Sequence, residues 1–352
     1  MTRVTRPLDA ETPIEAFANP LTPNDQFFVR SHFGPPAVER GAESQWRLRI
    51  AGEVGRVLTL TRKDLMAFEP VTVTAVLQCS GNGRAFYRPR TPGVQWQKGA
   101  VGNARWTGVR LADVLARAGL RAGARHVAFL GADRPVHADT PLFIRSIPIE
   151  KALHLDTLLA YAMNGEPLPL LHGAPLRVIT PGWMADACTK WLSDITVLEH
   201  EVKGYFMETA YRHPVHPVSP GESISPADMQ PVTTMPVKSL IVHPVESAAW
   251  PMGGGMVRGV AWSGDGRRIA KVELSTDEGR SWDSARLVGE DTRYGWRQWV
   301  FEWNPPRPGT YVILSRATDD HGDSQPLRSQ WNPSGFLWNG VDRVSVSVAG
   351  QG

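Results

Sequence analysis

Only two cysteines, Cys79 and Cys188, occur in the 352 residues. Two isolated thiols exclude a disulfide-stapled scaffold and a Cys-His haem attachment motif. No apolar stretch approaches the roughly 18 residues of a membrane span. The net charge of +3 is small and no Lys/Arg run makes a basic stripe, so nucleic acid is excluded as the expected partner. Neither a Walker pattern nor a Gly-x-Gly-x-x-Gly occurs, and a nucleotide seated on a helix N-terminus is not expected. Internal repeats and low-complexity segments are also missing. Met1 to Phe17 mixes acidic and basic residues without the apolar core of a secretory leader. The sequence as it stands reads as cytoplasmic, or as periplasmic if a leader has been removed, and the compartment stays open.

What is present suits a well-packed protein. Apolar residues make up 42% and charged residues 21% of a 352-residue chain, which at about 150 residues per domain predicts two domains. Thirteen tryptophans and 29 prolines point to a β-rich architecture with proline-punctuated loops. Val71-Thr72-Val73-Thr74-Ala75-Val76-Leu77 alternates as a strand should, and runs into Gln78-Cys79-Ser80-Gly81-Asn82-Gly83-Arg84. A cysteine at a strand end, glycines that let backbone approach something bulky, and an arginine close by form a setting for a metal ligand or a nucleophile. A buried small hydrophobe is the plain alternative.

Around that loop, Phe27 to His32 reads as a short extended segment with Arg30 and His32 on one side. Trp46 to Ile50 and Val57 to Leu60 read as strands, and Thr61 to Phe68 as a short helix opened by a capping-box-like Thr61 and Asp64. Residues 1 to 24 lack periodicity and read as an arm over the first domain. Tyr87 to Trp96 is a basic, proline-bearing loop, expected to wall a site. Leu111, Val114, Leu115 and Ala118 recur at helical spacing ahead of Gly119. His126 to Leu130 predicts a strand with Asp133 just beyond it, Ser146 to Glu150 a helix start, and Leu158 to Met163 a strand entering a tight Asn164-Gly165 turn.

A second cluster follows. His172, Arg177 and Lys190 lie around the Gly173-Ala174-Pro175 turn and the run Cys188-Thr189-Lys190-Trp191-Leu192. Imidazole, guanidinium and ammonium are the donors that a phosphate-bearing ligand requires. Three separate surface charges are the alternative.

Several of these stretches together resemble the molybdenum-cofactor domain of the sulfite oxidase family. They are Gln78-Cys79-Ser80-Gly81-Asn82, Gly99-Ala100-Val101 with Trp106-Thr107-Gly108, Ala160-Tyr161-x-Met163-Asn164-Gly165, His172-Gly173-x-Pro175-Leu176-Arg177-Val178, and Lys190-Trp191-Leu192. The likeness runs in order from about residue 20 to the end of the chain. It implies that Cys79 binds molybdenum beside the dithiolene of one molybdopterin per chain. It further implies cofactor contacts from Phe28, Val29, Arg30, Ser31, His32, Asp133, His172, Arg177, Cys188, Thr189 and Lys190, and a substrate pocket of Arg30, Arg84, Trp96 and Tyr211. The implied reaction is oxidation of sulfite to sulfate by oxo transfer. With neither a haem motif nor room for a haem domain, electrons are expected to pass to an external acceptor such as a cytochrome c. A molybdenum enzyme reducing an S-oxide or nitrate, and a non-catalytic cofactor-holding subunit, are the other readings.

The chain departs from the family pattern where substrate is concerned. Asp186-Ala187-Cys188 stands where a glycine-alanine-arginine sequence precedes the Lys-Trp pair, which leaves no arginine at Ala187. Ser334, in Trp331-Asn332-Pro333-Ser334-Gly335, stands where the second domain usually supplies another, and Gly83 replaces a third. His32, Arg88 and Arg90 are the candidates to restore the lost positive charge.

From Arg212 to Met235 the chain turns to Pro, Ser and His without hydrophobic period, which predicts a domain boundary. Beyond it Val257 to Trp262, Ala270 to Thr276, Arg297 to Trp303 and Tyr311 to Ala317 alternate as short strands between turns, the pattern of a β-sandwich. Trp262, Trp282, Trp299 and Trp303 read as packing. The resemblance implies an immunoglobulin-like dimerisation domain and hence a homodimer. The expected fold is α+β: a mixed molybdopterin-binding domain over residues 1–230, followed by an all-β sandwich over 231–352.

Overall fold

The structure, a computed structural model, describes residues 1–5, 7–37 and 45–349. Val71–Gln78 forms an antiparallel pair with Val101–Arg110, which pairs in turn with Leu158–Met163. Arg177–Ile179 and the edge strand Glu166–Pro167 complete this sheet. Asn164 and Gly165 both take positive φ, 54° and 83°, the geometry of a two-residue hairpin turn. A second sheet runs Leu58–Leu60, Leu48–Gly52, Leu192–Leu198, His126–Gly131, Ile144–Pro148. Its one parallel pairing joins Leu48–Gly52 to Leu192–Leu198. The helix Leu111–Ala118 lays Leu111, Val114, Leu115 and Ala118 on this sheet's Leu48, Ile50, Val127, Phe129 and Ile195. That apolar stripe is what fixes the helix, since eight residues are too few to hold helical form alone.

Residues from 238 onward form two packed sheets. One runs Lys238–His243, Gly255–Trp262, Arg297–Trp303, Arg286–Val288; the other runs Ala248–Trp250, Asp342–Val348, Gly309–Asp319, Ile269–Ser275, Asp283–Ser284. Their facing side chains, among them Val257, Val272, Trp299, Ile313 and Val346, make a separate core. A further apolar cluster joins this sandwich to the first sheet: Phe17 from the N-terminal arm packs edge-on against Trp296 at 5.4 Å, beside Val76, Val101 and Trp262. The Trp262 indole N–H also donates to Gln78 Oε1 at 2.9 Å. The residue just before Cys79 is thereby anchored to the second half of the chain.

The helical share is smaller than an α+β fold suggests. Among the described residues the α-helices are Arg62–Met66, Leu111–Ala118, Ile149–Ala152 and Tyr205–Glu208, so the first part is mostly strand with short helices at its edges. The Thr61–Asp64 capping box is present. The helix expected over Ser146 to Glu150 is present, starting at Ile149 just after Pro148 with Glu150 in its first turn, while Ser146 and Ile147 still belong to the strand, paired with Ala128 and Val127. Phe27 to His32 is irregular, touching sheet geometry only where Val29 bridges Ala10. The arm is more ordered than its lack of periodicity implies: Thr2–Thr5 and Leu8–Ala10 pair as a hairpin. Within 212–235, Arg212–Pro214 pairs with Met229–Pro231. Of the four tryptophans read as packing, Trp262, Trp299 and Trp303 are buried, whereas Trp282 is half-buried beneath Arg316 at 4.1 Å.

Lys238, fully buried, has no hydrogen-bond partner among the described residues for its ammonium, which lies 4.9 Å from the Trp338 ring centroid. Lys98 has taken the nearby carboxylate of Asp342 at 2.7 Å. Burial pushes the Lys238 ammonium down to about 7, with Asp342 opposing and Lys98 reinforcing the shift. Below pH 7 both folded and unfolded chains carry the proton and the burial penalty is in full force. Between about pH 7 and the unfolded value near 10.4 only the unfolded chain holds it, so stability rises with pH there, by about 5 kcal/mol at most. Lys238→Met is therefore expected to stabilise the protein at pH 7 and to flatten this rise, as urea titrations at pH 6.5 and 9 would read out. A rise of equal size in the variant would contradict it.

Candidate active site

The strand Val71–Gln78 ends against the backbone of Ala100 and of Leu337, whose N–H donates to Ser80 O at 3.0 Å. Cys79 donates its N–H to Ala100 O at 2.9 Å, which fixes the thiol at the mouth of the sheet. Cys79 lines a cleft. Phe28, Arg30, Ser31, His32, Cys79, Asp133, His172, Arg177, Cys188, Thr189, Lys190 and Tyr211 all line this cleft. Residues spread over most of the chain are thus brought to one cavity. Val29, Arg84 and Trp96 are not in its lining. Val29 is buried and exchanges backbone hydrogen bonds with Ala10 at 2.9 Å. Trp96 is buried in the core cluster with Cys79, Phe27 and Trp106. Arg84 lies beside the Cys79 loop, donating to Val94 O at 3.1 Å and Ser334 O at 3.2 Å.

Glycine makes room for that arrangement. The Arg84 guanidinium lies within 3.0 Å of where a Cβ would stand at Gly81, Gly93 or, for its Cγ and Nε, Gly335. Gly83 has φ +91°, and a Cβ there would meet the Trp338 ring at 2.7 Å. The arginine missing at 83 therefore has a physical reason, because Trp338 fills the space its side chain would need.

One end of the cleft carries cations that, among the described residues, no carboxylate pairs within salt-bridge distance, although Asp133 and Asp9 are near enough to attract Lys190. The Arg177 guanidinium is buried, donates to His172 O at 2.8 Å and Cys188 O at 3.3 Å, and stands 5.0 Å over the Trp106 ring. Among the described residues its Nε has no partner, and neither does the buried Thr189 hydroxyl. Burial pushes Arg177 down to about 10. Lys190 reaches Ser31 Oγ at 2.8 Å and Leu171 O at 2.9 Å, both neutral. Burial, then the Arg177 charge, hold Lys190 well below its ordinary value. His172 donates from Nε2 to Asn24 O at 2.8 Å, and burial pushes it down to about 4. Orphaned donors and strained cations in one pocket are what an anionic group such as a phosphate would satisfy.

The other end holds Cys79, Arg30, His32 and Tyr211. Arg30 is paired with Asp9 at 3.2 Å and donates from Nη2 to His32 Nδ1 at 3.2 Å. A guanidinium can only donate, so Nδ1 is the acceptor and the imidazole proton sits on Nε2, 2.6 Å from the Tyr211 hydroxyl. Burial, helped by Arg30 and Lys190, pushes His32 down to about 3, and it stays neutral in the physiological range. The His32 N–H thus donates to the Tyr211 oxygen, which leaves the phenolic proton free to donate into the cleft. Burial pushes the Tyr211 phenol up to about 12. Tyr211 has φ 55° and its ring stacks on Phe336 at 5.6 Å, so the second half of the chain clamps it from one side. The Cys79 thiol is raised by burial, against the pull of Arg30, the Gly81 N–H and Arg84.

Three residues of this end escaped the sequence reading. Arg145 and Asp186 form a buried ion pair at 2.7 Å, and Ser80 donates to Asp186 at 2.5 Å. A lone Arg on a strand carries no motif, and nothing in the sequence joined it to position 186. Conversely, the three candidates to restore positive charge do not do so. His32 is neutral, and Arg88 and Arg90 are exposed outside the cleft, Arg88 bonding the carbonyls of Ala85 and Tyr87. Proline at 89 and the exposed loop turn both away from the cavity.

The donor set fits a molybdopterin-type cofactor. Among the described residues no group of three or more His, Cys, Asp or Glu side chains could hold a metal. A metal here would therefore combine the thiolate of Cys79, the sulfur of Cys188 being engaged with Thr180 at 3.3 Å, with ligands from a carrier whose anionic tail meets Arg177, Lys190 and Thr189. No helix among the described residues is long and apolar enough to cross a membrane.

Comparison with known proteins points the same way. Residues 32–206 match the oxidoreductase molybdopterin binding domain, and residues 229–349 the Mo-co oxidoreductase dimerisation domain. Sulfite oxidase from Arabidopsis thaliana is 33% identical over 97% of this chain and 92% of its own length. Mitochondrial sulfite oxidase from Rattus norvegicus is 34% identical over 97% of this chain, which spans only 64% of that protein. The crystal structure of the sulfane dehydrogenase SoxCD from Paracoccus pantotrophus superposes with a TM-score of 0.83 at 26% identity, covering 100% of this chain and 89% of the other. With the thiol, the cationic end and the C-terminal sandwich all in position, the chain belongs to the sulfite oxidase family of molybdopterin-binding oxidoreductases, and carries that family's dimerisation domain.

Proposed function

We propose that this protein oxidises sulfite to sulfate, using one molybdopterin per chain and passing electrons to an external acceptor such as a cytochrome c. The observation that carries the reading is the pairing, in one cleft, of the buried Cys79 thiol with orphaned cationic donors. When bound, the cofactor supplies two-electron redox chemistry coupled to oxygen-atom transfer. Cys79 would ligate the metal, and the loss of its proton on binding would outweigh the burial that now keeps it protonated. Phe28, Arg30, Ser31, His32, Asp133, His172, Arg177, Cys188, Thr189 and Lys190 would hold the carrier. Arg177 and Lys190 would meet its phosphate, and Val29 would act only by fixing the loop against Ala10.

Substrate would bind between Arg30 and Tyr211. The Arg30 guanidinium would stabilise an oxyanion at no cost in rearrangement, because Asp9 and His32 already hold it. Tyr211 would donate its hydroxyl proton to an oxygen of substrate or product, its own oxygen being fixed by His32. Arg84 would add positive potential from behind the Cys79 loop, while Trp96 would support that loop by packing. We also propose that the molecule divides near residues 230 and 231, and that its immunoglobulin-like sandwich makes it a homodimer.

The test is turnover of sulfite by the molybdenum-loaded protein with ferricytochrome c, beside reduction of an S-oxide by a reduced dye. Turnover confined to the second assay would overturn the oxidative reading. Tyr211→Phe is expected to lower kcat by about 10² to 10³, with no new titration near pH 6, since His32 is already neutral there. A decrease below threefold would remove Tyr211 from the mechanism.

A further inference from the structure

The cleft has lost the arginines expected at 187 and 334, yet a guanidinium still stands at its reactive end. Arg145, on the strand Ile144–Pro148, puts its guanidinium 5.2 Å from the centre of the Tyr211 ring and donates to Phe206 O at 2.6 Å. Its other terminal nitrogen meets Asp186 at 2.7 Å, the two side chains being 3% and 2% exposed. Asp186 lines the cleft, and its second oxygen accepts from Ser80, the neighbour of Cys79, at 2.5 Å. An unbroken path of contacts therefore runs from the Cys79 loop through Ser80, Asp186 and Arg145 to Tyr211.

We propose that the Arg145–Asp186 ion pair is a positioning and specificity device. It sets the Tyr211 ring relative to Cys79, and by presenting a carboxylate to the cleft while holding the cation behind the phenol it weakens the pocket for doubly charged anions. This rests on the reading of the cleft as an oxyanion site. Two directions of evidence converge on it. Arg145 touches the ring face of Tyr211 and not the cavity, so it acts on substrate only through that residue. Asp186 occupies the wall itself, so its charge is felt directly by a bound anion. The substrate favoured by such a wall is a sulfur oxyanion in its singly charged form, or one presenting a single charge to this end of the cleft.

The experiment uses the molybdenum-loaded protein and sulfate as a non-reacting probe. Removing one negative charge from the wall in Asp186→Asn is expected to tighten sulfate binding by about tenfold, as calorimetry would measure. Asparagine keeps the acceptor for Ser80, so the loop contact survives. Sulfate affinity unchanged or weaker in a variant with wild-type molybdenum content would overturn the specificity claim. Because Asp186→Asn leaves Arg145 buried without its partner and can fail to fold, the double variant Arg145→Met with Asp186→Leu removes both charges together. Its sulfate affinity is expected within about threefold of wild type, with kcat for sulfite lowered about tenfold and KM little changed. Arg145→Lys, which keeps the charge and the pairing, is expected to recover most of kcat. Full kcat in the double variant would overturn the positioning claim. A wild-type protein that binds sulfate but does not turn over sulfite would count against the proposed reaction and not against the pair, which the sulfate measurement reads by itself.

Discussion

Replacing Cys79 with serine is expected to leave the molybdenum content near that of the wild type while turnover falls by at least about 10³. The physical basis is a division of labour within the cleft. In the proposed arrangement Arg177, Lys190, Thr189 and His172, which line the far end of the cleft, would grip the carrier, whereas the metal would meet the protein through one sulfur. Serine preserves the backbone bond from residue 79 to Ala100 O and fits the same space. A hydroxyl, however, resists deprotonation far more than a thiol in this buried position, and gives a harder, less electron-donating ligand. Metal analysis and turnover have to be measured on the same preparation. Full activity in the serine variant would remove Cys79 from the metal, and loss of the metal in proportion to activity would show that this sulfur, and not the cationic end, retains the cofactor.

The second large effect concerns Arg177 and has opposite consequences in the loaded and cofactor-free protein. In the cofactor-free chain the guanidinium is buried with two carbonyl partners, an orphaned Nε and a depressed affinity for its proton. Methionine has similar reach and no charge to desolvate, so Arg177→Met is expected to alter the stability of the cofactor-free fold by no more than about 1 kcal/mol, the lost hydrogen bonds offsetting the relieved burial. Cofactor retention is another matter. Loss of a charge-assisted contact to an anionic carrier is expected to lower affinity by about 10- to 100-fold. Thermal melts of both forms, with molybdenum content after gel filtration, would separate the two effects. A variant that unfolds equally with and without cofactor would make Arg177 a structural residue.

Much of the cleft was legible in local sequence because its parts sit at the ends of regular elements. A β-branched run predicts a strand at 71–77, and the residue after it has to emerge at a sheet edge. The Asn164-Gly165 turn and the Leu111–Ala118 stripe are equally local, since φ preference and helical period act over a few residues. Errors arose where local preference was weak. The helix announced by proline at 148 starts at Ile149 and not at Ser146, because Ser146 and Ile147 are claimed by the neighbouring strand. The arm reads as formless, yet Phe17 is buried against Trp296 because apolar area from two parts of the chain meets there. Arg88 and Arg90 looked like pocket cations because they are near Cys79 in sequence, and sequence proximity says nothing about which way an exposed loop turns.

Local sequence was enough for the strand and loop that present Cys79, the hydrogen-bond donors at 172, 177 and 190, the two-part organisation, and the likeness to one family. Those features depend on neighbours within a few positions or on motifs that keep their order along the chain. Only the tertiary structure decided that Tyr211 takes its orientation from His32 and Phe336, that Arg84 rests in a cradle of glycines, and that Arg145 and Asp186 meet beneath the phenol. Each of these joins residues far apart in the chain, and a buried charge chooses its partner by what the closed fold leaves within reach, a choice no local preference encodes.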